Sequence, residues 1–551
     1  MKKINTLLAV FFCFLLGHLQ AQEGRFMQEV FTDVTVTSDV VYGVNATVIA
    51  LPILGEAIPQ ALTMDVYEPV GDERTERPLV LVFHTGNFLP VPQNAQILGT
   101  KTDSSAVEIC TRLAKYGYTA ASVSYRQGWN PLAETQPIRA LGLIQAAYRG
   151  VQDGRTAIRF FKRDAAENDN QFSVDTSRIT IWGNGTGGYI THGMVGLTNY
   201  TEILTTTNGP AKFILDANGD GTPETPMVVE AIHGDIEGKT IGIIPPGGAF
   251  GLPEGDTTSL PNHVAYSSDF QLAVNVGGDL GDLSWLEAGN PPTITFQSAN
   301  DFFAPYEDAT LIVPTTGDPI VRVQGGLLIA RKQNELGNND VFINANIDDD
   351  ITAQARVNSA AAGHEYLEGL YPIVNPPNAN GLDEGVRIDW WDPNALSPPV
   401  EGFPNGVPWS LLPHPTDPSG MTSFHEQGLL TNTGMSAEQA RTHIDTVFAY
   451  FAPRAFAALD LAAFTSTEEL KEAEVGLVLA PNPATDQFVL RSDEDQLMLG
   501  VELYDLNGRL VQEHTFRNSY FFIQRGNLPD GIYVARVRFE EGTIAKKVMF
   551  K

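Results

Sequence analysis

The residues Arg178-Ile-Thr-Ile-Trp-Gly-Asn-Gly-Thr-Gly-Gly-Tyr189 read as a buried strand, a tight glycine turn and the start of a helix. In acyl-transfer sites this layout lifts a nucleophile onto a strained turn, as G-x-S-x-G does for serine. Here Gly183-Asn-Gly-Thr-Gly187 puts glycine at the central position, Gly185. No acyl-enzyme forms on a residue without a side chain. Glycine tolerates the strained turn, so the pocket around it is expected to survive as a binding site. Thr186 lies one residue past the centre, where its side chain is expected to point away from any base.

A second group of residues suits metal chemistry. Asp216-Ala-Asn-Gly-Asp-Gly-Thr-Pro-Glu224 has the D-x-N-x-D-G spacing of a calcium loop, with oxygens at Asp216, Asn218 and Asp220 and a permissive Gly221. Position twelve is Met227 instead of a bidentate glutamate, and Glu224 is the candidate to complete the site. The flanks are not helical, so a bound ion would stiffen a loop. The alternative is a solvated acidic turn. Cys110 falls in a helical pattern and reads as a buried apolar residue.

The elements that must position these residues alternate between strand and helix. Strands are expected at Pro78–Phe83, Tyr118–Tyr125, Arg178–Trp182, Pro292–Phe296 and Val341–Ala345, with helices at Ala106–Tyr116 and Ala140–Phe161. Such alternation predicts an α/β domain, a mainly parallel sheet with helices on both faces. Ligands on such sheets sit at the carboxyl ends of the strands, where both His84 and Gly183 fall. From about residue 475 onward the chain is all strand and turn, with Gln487–Ser492, Val501–Asp505 and Ile532–Phe539 as strands. Asn507-Gly508 and Asp530-Gly531 are the turn signals. This predicts a small all-β sandwich.

Four segments in order resemble the α/β-hydrolase superfamily near its carboxylesterase and lipase branch. These are Leu62–Pro69, Phe83-His-Thr-Gly-Asn-Phe88, Ser124-Tyr-Arg126, and Tyr148–Arg159 followed by Asp175–Ile181. The resemblance implies an α/β-hydrolase fold over 23–465 with an esterase-like pocket. It implies an oxyanion hole from the backbone N–H groups of Gly86, Asn87 and Thr186. Asn300-Asp-Phe-Phe-Ala-Pro-Tyr306 resembles the turn that carries the triad acid, which makes Asp301 the candidate acid. The base should follow the last strand, and His364 in Ala362-Gly-His-Glu365 fits, with His414, His425 and His443 as rivals. Two functions follow. One is ester hydrolysis in which Asp301 and His364 act through water or another nucleophile. The other is a non-catalytic surface or extracellular protein that keeps the pocket for a small-molecule or polymer ester ligand.

The tail resembles the C-terminal sorting domain of the type IX secretion system, through Leu479-Ala-Pro-Asn-Pro-Ala-Thr-Asp486, Val501–Arg509, Leu528–Val534 and the ending Lys546–Lys551. Residues 475–551 are thus expected to engage that secretion machinery, after a linker at 466–474. Residues 1–22 have the charged, apolar and small-residue regions of a signal peptide. The implied location is extracellular or on the outer cell surface. Of 551 residues 66 are acidic and 35 basic, a net charge of −31 that argues against nucleic acid and anionic membrane as partners. No cofactor beyond the candidate structural Ca2+ is expected.

Overall fold

The computed structural model describes residues 24–206, 212–216, 220–301, 304–312, 317, 319–375, 385–400, 403–417, 419–462, 475–505, 510–539 and 543–551. The expected signal peptide, the linker at 466–474, Asn218 and the Asn507-Gly508 turn lie outside the described residues. The chain divides between Leu459 and Asp460 into two compact units.

The first unit is built on eight strands: β1 (Val34–Thr47), β2 (Ile58–Pro69), β3 (Arg77–Phe83), β4 (Thr119–Val123), β5 (Val174–Asn184), β6 (Leu272–Val276), β7 (Thr293–Ser298) and β8 (Leu370–Ile373). They pair in the order β1-β2-β4-β3-β5-β6-β7-β8. The β1–β2 and β2–β4 pairs are antiparallel. From β4 through β8 every pair is parallel. All seven residues of β3 are buried, as a central strand covered on both faces requires. The parallel strands therefore present their carboxyl ends along one edge, and the turns after β3, β5, β6 and β7 meet there.

Helices α1 (Ser104–Tyr116), α2 (Gln136–Glu167), α3 (Thr186–Gly196), α4 (Gly326–Glu335), α5 (Asp350–Ala361) and α6 (Ala437–Ala458) provide the main helical cover. The long helix α2 buries polar residues along part of its length, which its sequence alone would place in solvent. Each has a partner in the fold. Arg126 and Asp153 form a fully buried ion pair at 2.9 Å. Gln152 Nε2 donates to the carbonyls of His233 (2.9 Å) and Asp235 (2.7 Å), and Arg159 donates to Glu237 O at 2.6 Å. These bonds tie the 233–238 segment to α2 and satisfy groups that burial would otherwise penalise.

One expected strand is corrected. Val341–Ala345 lies in a short helix, Asp340–Ala345, in which Phe342 alone is buried. A run of four or five apolar residues does not distinguish strand from helix by periodicity, and tertiary packing decides. The last strand is β8, some 25 residues further on.

The second unit has two antiparallel sheets. One joins Val478–Ala480, Gln487–Arg491 and Tyr520–Gln524. The other joins Leu510–Asn518, Met498–Asp505, Gly531–Arg538 and Thr543–Phe550 in that order. Alternate residues Phe488, Leu490, Val501, Leu503, Val537 and Val548 form its core, the pattern of a small β-sandwich.

Candidate functional site

The turn between β5 and α3 is held by close backbone packing. A Cβ on Gly187 would overlap the backbone carbonyl of Phe83 in β3, and one on Gly183 would overlap Gly187. Only glycine allows α3 to rest on these strands so closely. Gly185, between strand and helix, has φ 51° and ψ −112°, and its N–H donates to Val276 O at 2.8 Å. The backbone thus takes the strained turn expected for an elbow.

The loop after β3 faces this turn. Gly86, Asn87 and Phe88 have φ of 126°, 54° and 54° in succession. A Cβ on Gly86 would stand 2.7 Å from Gly99 Cα. Trp129 Nε1 donates to Asn87 O at 2.8 Å and fixes the loop from outside. His84 stacks on Tyr125 with ring centroids 4.5 Å apart, and burial pulls its pKa down to about 4. The N–H of Asn87, an expected oxyanion donor, has a partner in this structure. It donates to Thr186 Oγ1 at 2.7 Å, so the helix-start hydroxyl occupies the direction in which an oxyanion would be bound. A Cβ on Gly185 would overlap Thr85 Oγ1 and stand 3.1 Å from Thr85 Cβ.

A cavity of about 540 Å³ opens above these turns, lined among others by Thr85, Gly185, Thr186, Asp279, Asp301 and Asp389, with Trp129, Trp285 and Trp391 supplying aromatic walls. Asp301 follows β7 and accepts from Ala304 N–H at 3.1 Å. Its Oδ2 lies 3.0 Å from where a Cβ on Gly385 would stand, so Asp301 reaches the segment that follows β8. Asp279 accepts from Tyr189 Oη and Gln297 Nε2, both at 2.9 Å, and burial, reinforced by the Asp301 charge, holds its pKa well above the carboxylate range. Asp389 accepts from Ser105 Oγ, and burial lifts its pKa to about 6. Asp103 behind it rises to about 7 through burial and the Asp389 charge.

The candidate base His364 is not among the residues that line the cavity. It precedes β8 instead of following it, because the strand expected at 341–345 is a helix. Its Nε2 is 2.6 Å from Tyr306 Oη and its Nδ1 2.7 Å from Glu365 O, and it does not line the cavity that holds Asp301 and Gly185. Between β8 and His414 the sequence contains no histidine. His414 lines the cavity, yet its Nδ1 is engaged with Thr416 Oγ1 (2.7 Å) and its Nε2 with Ala95 O (3.0 Å). His425 Nδ1 accepts from Trp391 Nε1 at 3.1 Å, and His443 lies in α6. Sequence reasoning did not single out Asp279, Asp389 or Thr85 as cavity residues. The first two bear no motif, and the third faces Gly185 across a hundred residues of chain.

In the acidic loop the carboxylate oxygens of Asp216, Asp220 and Glu224 lie within 4.8 Å of one another. Asp216 accepts from Asp220 N–H (3.1 Å) and Gly221 N–H (2.7 Å), and a two-stranded ladder of Ile214–Leu215 with Thr225–Pro226 closes the loop.

Comparison with known proteins agrees with this architecture. Residues 64–213 match the BD-FAE family model, and residues 478–551 match that of the secretion system C-terminal sorting domain. No curated protein matches the chain. Similar solved structures include Thermogutta terrifontis esterase 2 phosphorylated by paraoxon, at 17% identity over 55% of this chain and 79% of that one, with a TM-score of 0.28. The native form of that esterase is 15% identical over 61% and 81%, TM-score 0.27. The bifunctional GH43-CE of Bacteroides eggerthii is 14% identical over 55% and 31%, TM-score 0.28. The chain therefore joins an esterase-like α/β-hydrolase domain to a type IX secretion sorting domain. A sorting domain of that kind marks the protein for export to the cell surface or the extracellular space.

Proposed function

We propose that the exported α/β-hydrolase domain binds a small-molecule or polymer ester ligand in its elbow cavity without forming an acyl-enzyme. The observation that carries this reading is Gly185 at the strained turn, φ 51°, where nucleophilic catalysis needs an oxygen held against a base. Two further features support it. Thr186 Oγ1 already accepts the Asn87 N–H, and His414, the histidine after β8 that lines the cavity, is bonded through both ring nitrogens. Hydrolysis by a water activated at His364 loses its support, since that ring is engaged with Tyr306 away from the cavity. The aromatic walls supply binding area, and Asp279, whose carboxyl burial holds well above the carboxylate range, supplies a buried polar group.

The test uses the full chain with p-nitrophenyl butyrate and a fluorophosphonate probe. Saturable quenching of tryptophan fluorescence by the ester, with no burst and no covalent labelling, is expected. Stoichiometric labelling by the fluorophosphonate, or an absence of saturable quenching, overturns the reading.

We further propose that Asp216, Asp220 and Glu224 hold a structural Ca2+. Ligand oxygens at 2.3–2.6 Å from a calcium ion stand up to roughly 5 Å apart, which matches their mutual spacing. Calorimetric titration of EDTA-treated protein with Ca2+ should show one site that Asp216→Asn abolishes. No heat of binding at millimolar Ca2+ refutes it.

A further inference from the structure

We propose that Thr85 has taken over the side-chain position of the elbow, so that the hydroxyl a ligand meets there comes from the loop after β3 instead of from the β5–α3 turn. This rests on the reading above, that no acyl-enzyme forms at Gly185. Three observations converge. Thr85 and Gly185 line the same cavity. A Cβ on Gly185 would overlap Thr85 Oγ1 and come within 3.1 Å of Thr85 Cβ, a contact tight enough that one partner must move. And the turn keeps its positive φ, so the glycine has not been accompanied by a collapse of the backbone. The space vacated on one side of the cavity is filled from the other. The two residues form an exchanged pair, a side chain at one position excluding a side chain at the other.

The chemistry follows from the type of group. A threonine hydroxyl both donates and accepts, and it carries no charge. It suits a neutral ligand oxygen, an ester carbonyl or an alcohol, held by a hydrogen bond. No described histidine that lines the cavity has a free nitrogen directed to it, as His414 is bonded through both. Thr85 is therefore a binding residue in this proposal. It also predicts that restoring serine alone should not restore turnover, since Gly185→Ser pushes its Cβ into Thr85.

A double-mutant cycle on the full chain tests the pairing through thermal stability, which needs no turnover. Gly185→Ala should lower the Tm, and the drop should shrink by about half or more in the Thr85→Gly background. An equal drop in both backgrounds overturns the exchange. Should Gly185→Ala fail to fold, the folding of Gly185→Ala/Thr85→Gly supports the exchange and its failure overturns it. The hydroxyl role is read separately by fluorescence quenching with p-nitrophenyl butyrate. Thr85→Val should weaken binding several-fold and Thr85→Ser should retain it. Equal affinity for all three overturns that role. Fluorophosphonate labelling of the wild type would overturn the non-catalytic reading while leaving the stability coupling intact, so the two failures are distinguishable.

Discussion

The two sides of the cavity are built differently. On the β5–α3 side the backbone is held to the tolerance an enzyme needs: Gly183 and Gly187 touch neighbouring main chain, and Gly185 sits at φ 51° with its N–H bonded to Val276 O. On the β8 side the chain delivers Gly385, Val386, Arg387 and His414 to the cavity wall, and both ring nitrogens of His414 are already bonded, to Thr416 and Ala95. One side presents a strained turn with glycine at its centre, and the other a wall whose histidine is engaged elsewhere. The difference teaches that the fold and the chemistry depend on separate residues. Backbone packing between glycines is a requirement of the sheet and helix, whereas the identity of the side chain at Gly185 is not.

That separation predicts where substitution is costly. Gly187→Ala, which contributes nothing to any ligand contact proposed above, should be the most damaging, because its Cβ would need β3 and α3 to move apart. A loss of about 3 kcal/mol or more is expected, read from denaturant unfolding. A neutral result would mean that the tight turn is not a constraint of the fold, and the contrast between the two sides would disappear. Asp153→Ala should cost a similar amount, about 3–5 kcal/mol, because it leaves Arg126 buried without its partner. It lies outside the cavity, so the ester-quenching affinity of whatever folds should be unchanged.

The scaffold should also carry an acid sensitivity that the cavity does not share. Burial lowers the pKa of His192 to about 3 and of His84 to about 4. The folded state favours both rings neutral, while the unfolded chain takes up their protons near pH 6.5. Stability from these groups is therefore complete above about pH 6.5 and is lost as pH falls toward 4 and 3, with a slope of up to about 1.4 kcal/mol per pH unit for each ring. Asp389 and Asp103 act with the opposite sign. Their raised values, about 6 and about 7, withdraw stability as pH rises from about 4 toward 7. His192→Phe should flatten the acid limb of the stability profile and leave the limb near neutrality unchanged. An unchanged acid limb would show that His192 is not the titrating group.

How much of this was legible in the sequence divides along physical lines. Local patterns were sufficient for the strand, glycine turn and helix start around Gly185, since a strand of β-branched residues followed by G-x-G-x-G has few other conformations. Local turn and alternation signals were likewise sufficient for the strands Gln487–Arg491 and Gly531–Arg538 of the tail. The end of the sheet was not legible. Val341-Phe-Ile-Asn-Ala345 has the composition of a strand and forms a helix, while β8, Leu370-Tyr-Pro-Ile373, contains a proline that weakens its strand signal. That single misassignment put His364 after the last strand and so made it a base. The Thr85–Gly185 contact and the Asp103–Asp389 pair join residues 100 and 286 positions apart, and no pattern within either segment announces them.

His364 gives the smallest expected effect and the sharpest separation of the two sides. If the cavity were still organised around an acid and a base, replacing the base would abolish any ester turnover and change its pH profile. In the geometry found, His364 holds a hydrogen bond to Tyr306 and lines no part of the cavity. His364→Ala should therefore cost only the value of two partly exposed hydrogen bonds, about 1–2 kcal/mol together, and leave the affinity for p-nitrophenyl butyrate and any slow background hydrolysis as they were. A His364→Ala variant that folds with native stability but loses ten-fold or more in hydrolysis would place the ring back against Asp301 in the functional state. The β8 side would then supply a base, and the proposal that no acyl-enzyme forms would rest on Gly185 alone.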